Sequence, residues 1–149
     1  MCLKAKKDTV KKIAEEDIVV WKYLCRFNFK YYTPYQNMKV KVGKQYRTKL
    51  GKMICYSTFD FAVVNEGFHS FKFEEDAHTI CKSENQVVCK CVIPKGSEYY
   101  EGTYEYPTIA PTPTDDPYAP TTYDFEPYPA LVSSEIRYEE IIEKNKKTK

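Results

Sequence analysis

The clearest pattern in the chain is an alternation of apolar and polar residues at positions 38–42. Residues 38–42 read MKVKV, so Met38, Val40 and Val42 fall on one side of an extended chain and the two lysines on the other. A period of two is typical of a half-buried β-strand. Residues 17–29, DIVVWKYLCRFNF, are rich in β-branched and aromatic residues and predict a long strand.

A helical spacing interrupts this alternation in the second half of the chain. Three acidic residues, 74–76, stand where the dipole of a helix start favours carboxylates. Residues 86–94, QVVCKCVIP, then predict a central strand, because they are apolar on both faces apart from one lysine. The helix itself is predicted from four residues that share one stripe, at i, i+4, i+7 and i+8: Phe73, Ala77, Ile80 and Cys81.

Residues 103–129 have a different composition from the rest of the chain. They hold seven of the nine prolines and five tyrosines, and no lysine or arginine. Proline removes a backbone donor and favours extended chain without a ladder, so the segment predicts an acidic loop outside the regular core. Residues 130–142 alternate again and predict a returning strand.

Together these elements predict a small α+β domain with a mostly antiparallel sheet and one short packed helix. The domain is expected to span residues 17–142, with the acidic Pro/Tyr-rich loop 103–129 inserted before its last strand. Residues 1–16 are predicted to form a basic arm or short helix, and residues 143–149 a basic tail.

The net charge of +2 conceals a strong asymmetry along the chain. Residues 1–49 carry 13 basic and 4 acidic side chains, whereas residues 96–136 carry 8 acidic and no basic ones. A basic half and an acidic segment that nearly cancel are more informative than the total charge.

No run of about 18 apolar residues occurs, so no membrane-spanning helix is expected. The basic N-terminus lacks the apolar core of a signal peptide, and we therefore expect a cytoplasmic protein. In that compartment the six cysteines are expected to be thiols.

Histidine and cysteine residues occur close together in residues 67–91, which raises the question of a metal site. Zinc sites need four such ligands arranged as a tetrahedron, and a helix packed on a strand could bring four together: His78, Cys81, Cys89 and Cys91. The cysteines, however, share apolar faces with valine and isoleucine, and buried cysteine behaves as a small apolar residue. We therefore predict core contacts, with no metal and no cofactor.

Basic and aromatic residues interleave over residues 21–49. Cations that contact phosphates, beside rings on which bases stack, are typical of single-stranded nucleic-acid binders. A solvated sheet face produces the same lysine alternation, so both interpretations stay open. The candidate nucleic-acid residues are Lys22, Arg26, Lys30, Tyr31, Tyr32, Tyr35, Lys44, Tyr46, Arg47 and Lys49.

The acidic segment allows three interpretations: a spacer, a screen for the basic half, or a contact element. As a contact element it would bind a partner through its tyrosines and prolines, as extended proline-rich segments do. The candidate contact residues are Tyr104, Tyr106, Tyr118, Tyr123, Phe125 and Tyr128.

The strings EGFHSF, VVCKCVIPKGSEYYEG and LVSSEIRYEEI resemble short motifs in small uncharacterised proteins of tailed phages and prophages. The resemblance covers roughly residues 17–102 and 130–142, and it implies no activity. It implies an accessory or structural protein located in the cytoplasm of a host cell or in the virion, so a protein partner, including virion components, is expected. The basic and aromatic residues 21–49 make nucleic acid the second possible partner.

The chain is also similar, more distantly, to small β-rich ADP-ribosyltransferases, in which a strand carries an arginine and a histidine or tyrosine lies mid-chain. That resemblance implies catalytic roles for four residues: Arg26, Tyr56, His69 and Glu139. Without it, His69 is expected to bond nearby backbone or to lie exposed beside the helix start. The first hypothesis is a non-enzymatic protein acting through protein contacts. The alternatives are a nucleic-acid binder and a small transferase.

Overall fold

The computed structural model describes residues 3–34, 36–55, 58, 60–81, 83–109 and 123–142. Within these residues strand is the main secondary structure, and the single helix has seven residues. In chain order the elements are β1 (Leu3–Lys6), β2 (Lys12–Ile13), β3 (Ile18–Phe27), β4 (Lys30–Tyr32), β5 (Lys39–Val40), β6 (Gln45–Arg47), β7 (Ile54–Cys55), β8 (Phe61–Val64), β9 (Phe68–Phe71), α1 (Glu74–Ile80), β10 (Gln86–Ile93), β11 (Glu98–Ile109), β12 (Tyr123–Ser133) and β13 (Glu135–Ile142).

The thirteen strands of the described part form one sheet, in which every pair is antiparallel. Its main order is β6-β13-β10-β3-β9-β12-β11-β1-β8-β7, while β2 pairs with β11, and β4 joins β3 to β5. Most neighbours are distant in sequence, so long-range pairing determines the architecture.

Both faces of the central sheet are buried, which gives the protein two apolar clusters. On β3, Tyr23 belongs to the first cluster, whereas Val20 and Leu24 belong to the second. On the neighbouring β10, Val88 lies in the first cluster and Cys89 in the second. This division follows from the period of two, because successive side chains of a strand point to opposite faces.

The helix α1 covers the first face. Ala77 and Ile80 are buried in the first cluster, and α1 packs against β3. Glu74 and Glu75 lie in its first turn, at the positive end of the helix dipole. The sequence predicted this short packed helix, and the structure contains it.

The chain between β4 and β6 covers the second face. Val40 is buried there, and the rings of Tyr46 and Tyr138 meet edge to face with centroids 5.6 Å apart. The backbone of Tyr138 accepts a hydrogen bond from the Gly43 amide and donates one to the Lys44 carbonyl. The second face is therefore an interior surface.

The predicted α+β class is wrong, because the protein is mostly β-sheet with one short helix. The basic arm or helix predicted for residues 1–16 contains strands β1 and β2 instead. Leu3 and Ala5 are buried with a period of two, and β1 lies between β8 and β11. Its own short apolar pattern did not reveal this, because pairing with distant strands provides the stabilisation.

The acidic segment also departs from the prediction. Residues 103–109 continue β11 and residues 123–129 belong to β12, so both ends of the predicted loop are strands. Residues 110–122 and the predicted tail 143–149 lie outside the described residues. The prolines of these strands stand at register positions where they do not interrupt the hydrogen bonds between β11 and β12.

Candidate contact site

Strands β11 and β12 form a hairpin that extends beyond the rest of the sheet. They pair at eleven positions, from Tyr99 opposite Ser133 to Ile109 opposite Tyr123. The neighbouring strands stop earlier: β9 pairs with residues 130–133 of β12, and β1 reaches only Thr103 of β11. In the described part of the chain, the last five pairs, beginning at Glu105 opposite Pro127, thus pair only with each other. We call these five pairs the arm; they extend for roughly 15 Å.

The root of the arm is fixed in the first apolar cluster. Tyr104 and Tyr128 are 8% and 9% exposed, and their ring centroids lie 5.8 and 6.2 Å from that of Phe71, both edge to face. Lys4 adds a bidentate contact to Glu105, with Nζ 3.1 Å from each carboxylate oxygen, and lies 3.9 Å above the Phe61 ring. These contacts define the direction in which the arm leaves the sheet.

Gly102 allows β1 to approach this root closely. A Cβ atom at position 102 would overlap the carbonyl oxygen of Lys4, so a larger residue would push β1 away from β11. Glycine is not required at position 102 for its backbone conformation, because the φ angle there is outside the left-handed region. The requirement is backbone proximity.

Three prolines occupy equivalent register positions of the hairpin. Pro129 accepts a hydrogen bond from the Lys72 amide, so its backbone groups point away from β11. Alternate residues of an antiparallel strand share this orientation, which places Pro127 in the same class. Pro107 stands opposite Phe125, in the same alternating set of residue pairs. The prolines therefore cost the hairpin no internal hydrogen bond and remove donors from its outer edges.

The predicted contact residues of the acidic segment divide into three groups. Tyr104 and Tyr128 are anchors of the arm and are too buried to contact a partner. Tyr106, Tyr123 and Phe125 belong to the strands of the arm. The sixth, Tyr118, lies outside the described residues.

The candidate nucleic-acid residues do not share one surface. Lys22 lies on the inner second face, and Tyr31 and Tyr46 pack against its apolar cluster. Arg26, Lys30 and Tyr32 lie at the outer end of the β3–β4 hairpin, where the first two are exposed. Tyr35 lies outside the described residues.

The remaining three nucleic-acid candidates lie together on and beside β6. Lys44, Arg47 and Lys49 are exposed there. The Lys44 amine lies 5.2 Å from the centroid of the Tyr46 ring, and Arg47 Nε is 2.7 Å from the Glu135 carboxylate. Arg47 and Lys49 also line a groove of about 560 Å³.

The four candidate metal ligands are not brought together. Cys81 belongs to the first apolar cluster, whereas Cys89 and Cys91 belong to the second, on the other face of the sheet. His78 lies on α1, with Nε2 3.1 Å from the Glu74 carboxylate. In the part of the chain that the structure describes, no group of three or more metal-ligating side chains is present.

The residues implied by the transferase resemblance also lie apart in the sheet. Arg26 is exposed near the end of β3, and Tyr56 lies outside the described residues. Glu139 is on β13 and accepts a hydrogen bond from Arg137, with 2.8 Å between Oε1 and Nε.

The fourth of these residues, His69, bonds nearby backbone, as the simpler interpretation of the sequence expected. Its Nε2 lies 3.2 Å from the Val64 carbonyl oxygen. Because a carbonyl only accepts, Nε2 carries the proton and donates it. Burial, together with the charge of Lys22, lowers the pKa of His69 from 6.5 to about 4. The ring is therefore neutral at physiological pH.

A polar cluster on the second face was not anticipated from the sequence. The registers place Lys22 between Ser70 on β9 and Cys89 on β10, with the Lys22 amine 6.0 Å from the centroid of the Tyr138 ring. Burial lowers the pKa of Lys22 and raises that of the Cys91 thiol. The Ser70 and Tyr138 hydroxyls are buried and have no hydrogen-bond partner among the residues that the structure describes. A lysine between two apolar residues was the only local signal of this cluster.

Comparison with models of protein families, with curated proteins and with solved structures found no match. The resemblances to phage proteins and to transferases therefore stay predictions. Among the described helices, none is long and apolar enough to cross a membrane.

Proposed function

We propose that this protein is a non-enzymatic accessory or structural protein that acts through protein–protein contacts, with the arm as its contact element. The observation that supports the proposal is the arm itself: five residue pairs continue past the neighbouring strands from a root fixed by Tyr104, Tyr128 and Phe71. Among the described residues no further strand pairs with the two edges of the arm, and unpaired strand edges are a liability that proteins use or protect.

The chemistry of the arm selects a particular kind of partner. The arm contains Glu105, Asp124 and Glu126 and no lysine or arginine, so the partner surface is expected to be basic. Tyrosine and phenylalanine in the arm supply the large aromatic contacts that dominate protein interfaces. The outward-facing prolines disfavour strand addition at the edges, so recognition is through side chains. The resemblance to tailed-phage proteins makes virion components the first partners to test.

The test shortens the arm without altering its root. Residues 107–125 are replaced by an Asn-Gly turn that joins Tyr106 to Glu126, since this dipeptide favours a two-residue hairpin and this pair, unlike Glu105 and Pro127, can exchange backbone hydrogen bonds. Tyr104 and Tyr128 remain, so we expect the thermal unfolding curve to stay cooperative. Partners captured with the full chain are then purified, and their binding to both forms is measured by calorimetry.

The proposal expects the shortened chain to lose its partner while a matched aromatic control keeps it. Phe29→Ser is suitable as the control, because Phe29 is 99% exposed at the tip of the β3–β4 hairpin. A shortened chain that binds every captured partner with unchanged affinity would refute the role of the arm.

Single-stranded nucleic-acid binding is a second candidate, favoured by the exposed Lys44, Arg47 and Lys49 beside β6. Binding to an oligonucleotide should then weaken steeply with salt, because each phosphate contact releases counterions. No binding at low salt would exclude this candidate.

A further inference from the structure

The groove beside β6 has an excess of positive charge. It lies between residues 47–52 and the beginnings of β11 and β13, and its volume is about 560 Å³. Its charged lining residues are Lys11, Arg47, Lys49, Lys52, Glu98 and Glu135.

The two carboxylates of the groove already have partners. Glu98 lies 3.1 Å from the Lys11 amine, and Glu135 lies 2.7 Å from Arg47. No carboxylate of the described residues forms an ion pair with Lys49 or Lys52. The groove therefore presents two lysines without a counter-charge, and an acidic ligand would supply it.

The arm of the same chain cannot be that ligand. Tyr100, near the beginning of β11, lines the groove, whereas Asp124 and Glu126 stand opposite Thr108 and Tyr106. They are thus six to eight positions farther along the hairpin, roughly 20–27 Å away, and the hairpin runs away from the groove. Groove and arm lie at opposite ends of the same pair of strands.

We propose that the groove binds the acidic arm of a second copy of this chain, giving a head-to-tail assembly. The inference rests on the proposed function of the arm and names its partner. The acidic segment and the groove are complementary in charge, and their separation within one chain forces the contact to be intermolecular. Two copies can exchange arms reciprocally and close as a dimer, or each copy can dock on the next and form rings or filaments.

The test measures association by sedimentation velocity of the full chain at equal protein concentrations. We expect a dimer or larger species at about 0.1 M salt and dissociation at about 1 M salt, because the Debye length falls from about 10 Å to about 3 Å. A full chain that stays monomeric at low salt would overturn the inference. The proposed function would survive that result if another partner still required the arm.

Charge-reversed variants identify the two surfaces. The groove variant is Lys49→Glu with Lys52→Glu, and the arm variant is Asp124→Lys with Glu126→Lys. Each alone is expected to weaken association at least tenfold. Mixing them should restore a one-to-one complex, because the groove variant keeps an acidic arm and the arm variant keeps a basic groove. Failure of the mixture to associate would contradict head-to-tail docking.

A matched control separates this contact from a general charge effect. Lys39→Glu with Lys41→Glu makes the same change of charge at exposed positions that do not line the groove. This variant is expected to associate like the original chain. If it weakens association as much as the groove variant does, or if the groove variant loses only oligonucleotide binding, the inference is wrong.

Discussion

His69 should make the stability of this protein depend on pH in a way that one substitution removes. The neutral ring donates a hydrogen bond to the Val64 carbonyl, and burial lowers its pKa from 6.5 to about 4. As the pH falls below 6.5, the unfolded chain binds a proton that the folded chain does not. The stability that the neutral His69 contributes is therefore fully present above pH 6.5, and it is lost as the pH falls towards 4.

The size of the effect follows from the two pKa values. Linkage between them predicts a loss of about 2 kcal/mol between pH 7 and pH 5, and of about 3 kcal/mol by pH 4. Carboxylates also titrate in this range, so the measured quantity is the difference between the original chain and a variant without the imidazole. His69→Gln suits this purpose, because its amide nitrogen can still donate towards Val64.

The assay is urea unfolding at a series of pH values, combined with NMR titration of the imidazole signals. His69→Gln should flatten the pH dependence by about 2 kcal/mol between pH 7 and pH 5. His78→Gln is the matched control, because it removes the other imidazole of the chain, at a position on α1 where the ring bonds the side chain of Glu74. An imidazole signal of His69 that titrates near pH 6.5 would refute the reasoning.

The remaining predictions concern the arm and the interior lysine. Gly102→Ala should lower the free energy of unfolding by about 2 kcal/mol in urea, because the added Cβ would overlap the Lys4 carbonyl. Glu101→Ala is the control at the neighbouring position and should change that free energy by less than about 0.5 kcal/mol. Lys22→Met should leave the protein at least as stable, because the amine is desolvated without a carboxylate partner among the described residues, and NMR should show a higher pKa for His69. A large loss of stability in Lys22→Met would show that the amine has a bonded partner. Pro127→Val should restore a backbone N–H at the edge of the arm and so increase aggregation through strand pairing, measured by light scattering. An unchanged aggregation rate would contradict the protective role of this proline.

Local sequence patterns were sufficient for elements whose burial follows from their own residues. The stripe that includes Ala77 and Ile80 predicted α1, and the two-sided apolar run of residues 86–93 predicted a central strand. One of the two expectations for His69 was a bond to nearby backbone. The bond to Val64 is local, because the two residues are five positions apart and a turn between them brings them together. In each of these cases the periodicity or the neighbouring residues contain the physical cause.

The candidate site depended much more on tertiary structure. The prolines of residues 103–129 predicted an extended segment but not its pairing, because the register decides whether a proline interrupts a ladder. Likewise, the alternation of the strand places Lys22 on the face opposite Trp21 and Tyr23. Only the chain from β4 to β6, which covers that face, makes it interior. Composition shows that the chain separates its charges, while the sheet order places the basic groove and the acidic arm at opposite ends of one hairpin. Pairing between strands distant in sequence determines that arrangement, and no local pattern encodes it.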